Sequence, residues 1–132
     1  MATVLVLNDD SDMLETYESV LRELGHEAVT KLTVASGPET VREVRADALL
    51  VDLMRNEEDA YGLRIIEEVR SDPELESLPV VLATAAAEAV PRLQGKLDQW
   101  DVSVLIKPFG VSELEQVLTA VLRRGPESSS SV

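Results

Sequence analysis

The sequence predicts an α/β fold in which a parallel β-sheet carries helices on both faces. Three observations point there. Short apolar runs alternate with helical patterns five times along the chain, and such alternation implies right-handed crossovers between parallel strands. The chain has 132 residues, a length suited to one domain, and 45% of them are apolar, enough to build a core. Four of the five apolar runs also end in a polar or charged residue, which fits strands whose C-terminal ends gather along one functional edge.

The elements follow in chain order. Thr3–Leu7 reads as a buried strand and runs into Asn8-Asp9-Asp10. Ser11 or Asp12 is placed to cap the helix that follows. Met13, Leu14, Tyr17, Val20, Leu21 and Leu24 fall at helical spacing there, and Gly25 supplies the stop. His26–Thr30 is a second, less apolar strand near an edge. Pro38 sits just inside the start of a short second helix carrying Val41 and Val44. Asp47–Asp52 is the third strand. Leu63, Ile65, Ile66 and Val69 mark a third helix, which Ser71-Asp72-Pro73 ends. Leu78–Thr84 is the fourth strand. Leu93, Leu97 and Trp100 share a face of a fourth helix, and Pro91 and Gly95 predict that this element is short, shifted or partly disordered. Val102–Ile106 is the fifth strand. Leu114, Val117, Leu118, Val121 and Leu122 give the clearest helical pattern in the chain. Residues 1–124 are expected to form one domain, and residues 125–132, Gly-Pro-Glu followed by four serines and a valine, a frayed tail.

Composition removes several function classes. The formal charge is −13, which argues against binding a nucleic-acid backbone or an anionic membrane, since both need basic patches. Without cysteine there is no disulfide, thiolate nucleophile or thiolate metal site. His26 is the only histidine, so a Ser-His-Asp triad and a histidine-rich metal site are excluded. No apolar run approaches the roughly 20 residues that span a bilayer, and the N-terminus lacks the layout of a signal peptide. A cytoplasmic location is expected.

The strand ends carry the chemistry. Asp52 closes the third strand, and a carboxylate there can act as a nucleophile toward phosphorus. Such an attack brings two anions together, so cations must offset the charge. Asp9, with Asn8 and Asp10 beside it, can hold Mg2+, which takes oxygen ligands and often only one or two carboxylates. Lys107 can pair with phosphoryl oxygens as a point charge, and Thr84 can donate its hydroxyl to one of them. Taken singly, each residue has an ordinary explanation as a cap, turn or loop residue. Their joint arrival, in chain order, at the ends of strands one, three, four and five predicts a Mg2+-dependent phosphoryl acceptor.

The chain resembles the receiver domains of two-component response regulators over roughly residues 3–124. The resemblance rests on Val-Leu-Asn-Asp-Asp at the first strand and Leu-Leu-Val-Asp-Leu-Met at the third. It extends to Val-Val-Leu-Ala-Thr-Ala at the fourth and Leu-Ile-Lys-Pro-Phe at the fifth. It implies a doubly wound, flavodoxin-like sheet of five parallel strands in the order 2-1-3-4-5 with five helices. It also implies that Asp52 accepts phosphate from a histidine kinase or phosphotransfer protein. Asp9, Asp52 and the carbonyl of Met54 would hold Mg2+, with Asn8 close by, and Thr84 and Lys107 would bind the phosphoryl group. The Lys107-Pro108 bond would be cis.

The chain departs from the family pattern at four places. Asn8 replaces an acid. The loop after Asp52 is longer than usual, lacks its usual proline and carries Glu57, Glu58 and Asp59. Val104 stands where the family has a switch aromatic, and Pro91 and Gly95 interrupt the region of the fourth helix. The expected role is a stand-alone receiver, without an output domain, that signals through protein contacts or relays phosphate. The competing reading is a pseudo-receiver adaptor that keeps the fold, is not phosphorylated and binds a partner protein. A flavodoxin-like cofactor binder would need a glycine-rich loop after the first strand. An aspartate-nucleophile phosphatase would need an acid where Met54 stands.

Overall fold

The computed structural model describes residues 2–53 and 61–123. Five strands, β1 (Thr3–Leu7), β2 (Glu27–Lys31), β3 (Ala48–Leu53), β4 (Val80–Thr84) and β5 (Val102–Ile106), alternate with five helices. These are α1 (Ser11–Glu23), α2 (Pro38–Val44), α3 (Tyr61–Ser71), α4 (Val90–Gln99) and α5 (Val111–Arg123). All neighbouring strands are parallel, in the order β2-β1-β3-β4-β5. The α/β doubly wound expectation therefore stands, strand order included. Met54, the loop 54–60, Arg124 and the tail 125–132 lie outside the described residues.

Alternation along the strands splits the core into two halves. Leu5, Leu7, Leu49, Val51, Leu53 and Leu82 face one side of the sheet, where Ile65, Ile66 and Val69 of α3 and Leu97 of α4 close over them. Val4, Val6, Leu50, Val81, Ala83 and Leu105 face the other, beneath Leu14, Tyr17 and Leu21 of α1 and Leu114, Leu118 and Val121 of α5. The strands β1, β3 and β4 are apolar on both faces because helices cover both. The edge strand β2 is only half-buried, which is why its sequence signal is weaker.

Local chemistry sets the element ends. Asp10, rather than Ser11 or Asp12, caps α1: its Oδ1 accepts from the backbone N–H groups of Asp12 at 2.9 Å and Met13 at 3.3 Å. The cap lies one residue earlier than expected because Ser11 already has helical geometry. Gly25, at φ +88°, turns the chain after α1 through a conformation that favours glycine. Pro38 is the first residue of α2, as expected. The fourth helix is shifted rather than short. A 3-10 turn at Ala87–Ala89 precedes it, and α4 then runs ten residues from Val90. Pro91 falls in the first turn, where a helix has no use for its missing N–H.

Arg70, near the end of α3, ties two connections together, α3–β4 and α4–β5. Its Nε donates to the Trp100 carbonyl at 2.5 Å, and its Nη1 to the carbonyls of Leu78 at 2.6 Å and Glu76 at 3.1 Å. These bonds hold the approaches to β4 and β5 in place at the bottom of the sheet, opposite the edge where the acids emerge.

Two glycines make opposite demands on the same substitution. A Cβ at Gly62 would overlap the Leu53 side chain and stand 3.0 Å from Val51 Cγ1, because α3 lies directly on β3 there. Gly95 is exposed within α4, and a Cβ there meets nothing within 4 Å. Urea denaturation should show Gly95→Ala stabilising the fold by about 0.5–1 kcal/mol through helix propensity. Gly62→Ala should destabilise it by about 1–3 kcal/mol through overpacking.

Candidate functional site

The sheet delivers the site by register. Val51 pairs with Leu7 on one side, and Asp52 and Leu53 pair with Ala83 and Thr84 on the other. Thr84 pairs with Ile106, and the Lys107 N–H continues that ladder to the Thr84 carbonyl at 2.8 Å. The ends of β1, β3, β4 and β5 therefore meet at one edge. Asp52 shares its strand parity with Leu50, and Lys107 with Leu105, so both belong to the rows that face α1 and α5.

Asp52 is the centre. Its side chain is fully buried, and both oxygens are held. Lys107 Nζ donates to Oδ1 at 2.5 Å and reaches the Leu53 carbonyl at 3.4 Å. The Tyr17 hydroxyl donates to Oδ2 at 2.5 Å. Burial, then the charge of Asp52 and the bond to it, push the Tyr17 phenol well above its usual range, so the hydroxyl is protonated and is the donor. Lys107 keeps part of its side chain in contact with solvent. The Lys107-Pro108 peptide is cis, as the resemblance implies.

The other expected residues take distinct places. Thr84 is buried, and its Oγ1 accepts from the Ala86 N–H at 3.0 Å. That bond uses an oxygen lone pair and leaves the hydroxyl hydrogen for another acceptor. Asn8 is buried, and its Oδ1 accepts from the Asp10 N–H at 2.7 Å, an Asx turn that shapes the loop after β1. Asp10 is occupied with the α1 cap. Asp9 is half-buried at the end of β1. Among the described residues no three or more acid or histidine side chains converge as a metal cage. The chemistry of the donor set still fits Mg2+, because two carboxylates at one strand edge are as many as this metal needs beside water and phosphate.

Tyr17 is the residue that sequence reasoning placed only in the helix core. Its position on the buried face of α1 is that of a core residue, and it is 3% exposed. A signal was present: a tyrosine at a buried helical position needs a partner for its hydroxyl. Its ring lies 6.4 Å from that of Phe109, tilted by 37°. Val104, which stands in place of the switch aromatic, pairs with Leu82 and packs on the α3–α4 side of the sheet.

Comparison with known proteins places the chain. No family model matches it. It is 31% identical over 128 residues to the transcriptional regulatory protein PrrA of Mycobacterium tuberculosis, covering 97% of this chain and 53% of that protein. A probable transcriptional regulator of Guillardia theta is 27% identical, covering 97% of this chain and 48% of that protein. The chain thus spans about half the length of the curated relatives it matches. Among solved structures, a putative response regulator from Chloroflexus aurantiacus superposes with a TM-score of 0.72 at 28% identity, covering 92% of this chain and 97% of that one. The receiver domain of a sensor histidine kinase from Pseudomonas aeruginosa superposes with a TM-score of 0.70 at 25% identity, covering 92% and 97%, and has a magnesium ion coordinated in its active-site cleft.

The buried pair makes an asymmetric prediction. Lys107→Met leaves the Asp52 charge buried with the Tyr17 hydroxyl as its donor, and should cost about 3 kcal/mol. Asp52→Asn leaves Lys107 with the Leu53 carbonyl and a path to solvent, and should cost less than about 1 kcal/mol. Urea denaturation of both variants measures the difference.

Proposed function

We propose, from the premise that this chain is a receiver domain of the response-regulator kind found in two-component systems, that Asp52 is its phosphoryl acceptor. The observation that carries the reading is a fully buried carboxylate paired with Lys107 at the C-terminal edge of a parallel sheet. In the transfer, an Asp52 oxygen forms a bond to phosphorus. The P–N bond of a phosphohistidine donor breaks, and the imidazole nitrogen keeps the electron pair and takes up a proton. Lys107 exchanges its partner from the carboxylate to the phosphoryl oxygens, and the Thr84 hydroxyl donates to another of them. Asp9 and Asp52, with the Met54 carbonyl and a water held by Asn8, are the groups that would bind Mg2+. When bound, Mg2+ supplies positive charge that offsets the approach of two anions.

The partners implied are a histidine kinase or phosphotransfer protein upstream and a protein target downstream, in the cytoplasm. The net charge of −13 fits neither a nucleic-acid nor a membrane surface, and no helix among the described residues is long and apolar enough to cross a bilayer. A second reading, an adaptor that binds a partner without being phosphorylated, is favoured by one observation. Tyr17 already holds the second oxygen of Asp52.

Acetyl phosphate with Mg2+ should add the mass of one phosphoryl group to the wild-type chain, with acetate as the leaving group. Asp52→Asn should show no such increase in intact-mass spectra, and chelation of Mg2+ should abolish it in the wild type. Equal labelling of wild type and variant would refute the assignment of Asp52.

A further inference from the structure

The acceptor oxygen carries a lock that the transfer chemistry does not call for. Lys107 neutralises Asp52 from Oδ1. The second donor, Tyr17, comes from α1, an element that contributes no other side chain to the transfer. A hydrogen bond to a carboxylate stabilises its charge and lowers both its nucleophilicity and its pull on a metal. Once Oδ2 is engaged by a metal or bonded to phosphorus, the bond to Tyr17 weakens or is lost. A hydroxyl this deeply buried does not stay unpaired without cost, so the ring must find another place.

The structure offers one. A cavity of about 520 Å³ opens between α1 and α5, lined by Tyr17 itself with Met13, Val20, Pro108, Phe109 and Leu114. Its walls are mostly apolar and include Val111, which is 48% exposed. A tyrosine that turned into this space would bury its ring against Phe109 and bring its hydroxyl toward solvent, the arrangement an amphipathic ring prefers.

We propose that Tyr17 gates the acceptor: its hydroxyl holds Oδ2 of Asp52 in the resting state, and metal binding or phosphorylation releases the ring into the cavity between α1 and α5. The gate also carries the signal outward, because it links the state of Asp52 to the shape of the α1–α5 face. In this chain Val104 of β5 has no ring to swing, and Tyr17 supplies one from helix α1. The proposal rests on Asp52 being the acceptor, and its test separates the two.

Tyr17→Phe removes the hydroxyl and keeps the ring and its contact with Phe109. Calorimetric Mg2+ binding should tighten by on the order of tenfold, the factor equivalent to about 1.4 kcal/mol, near the lower end of the range for a hydrogen bond to a charged group. Labelling by acetyl phosphate at saturating Mg2+ should quicken by a similar factor. In the wild type with 3-fluorotyrosine at positions 17 and 61, the fluorine resonance of Tyr17, identified by its absence from the Phe variant, should shift on adding Mg2+ with beryllofluoride. A merely structural tyrosine would move none of these while changing thermal stability. Slower labelling and weaker Mg2+ binding in the variant would overturn the gate and make Tyr17 a support of the acceptor. An unshifted resonance with proven beryllofluoride occupancy would overturn the release step. If neither protein is labelled, the acceptor assignment fails instead, and the gate is judged on Mg2+ affinity, with equal affinities refuting it.

Discussion

A carboxylate buried at the end of the central strand is the constraint on which this molecule depends. Taking the charge of Asp52 out of water is costly unless it is paired and hydrogen-bonded. Lys107 and Tyr17 meet that demand from opposite sides, one from β5 and one from α1. Neither contact is local: they span 55 and 35 residues. The positions of β5 and α1 relative to β3 are therefore coupled to the state of one side chain. A site of this kind responds as a unit, because whatever engages Asp52 competes with Lys107 and Tyr17 for the same two oxygens.

The sheet makes that arrangement possible. Parallel register brings the ends of β1, β3, β4 and β5 to one edge, and alternation turns Asp52 and Lys107 toward the same pair of helices. At the opposite end Arg70 holds the entries to β4 and β5 through backbone carbonyls. Fixing the strands at that end lets the functional edge carry polar groups with specific rather than average positions. Close contact of α3 with β3 at Gly62 adds to this rigidity next to Asp52.

The polar residues at the edge divide the work. Asp10 caps α1, and Asn8 braces the turn before it, so the acid-rich segment after β1 is not all available for a metal. Asp9 and Asp52 are the other two carboxylates at this edge, and Asn8 contributes no charge to it. Thr84 accepts one backbone bond and retains a donor. The Asp52 carboxylate is held by protein donors on both oxygens.

Much of this was legible in the sequence. Apolar runs with period 2 or 3.6 located all five strands and five helices, because burial imposes those periods wherever an element packs on a core. The residues at the strand ends identified Asp52, Lys107, Thr84 and Asp9 as members of one edge, since chain order and parallel topology together determine which ends coincide. The cap of α1 was placed one residue late, because caps depend on backbone geometry that several neighbouring residues can satisfy. Tyr17 was hidden for a deeper reason. Periodicity reports that a residue faces the core, and says nothing about which polar group waits there. Only the packing of α1 across β3 decided that the hydroxyl of Tyr17 meets the carboxylate of Asp52, an encounter between residues that no local pattern connects.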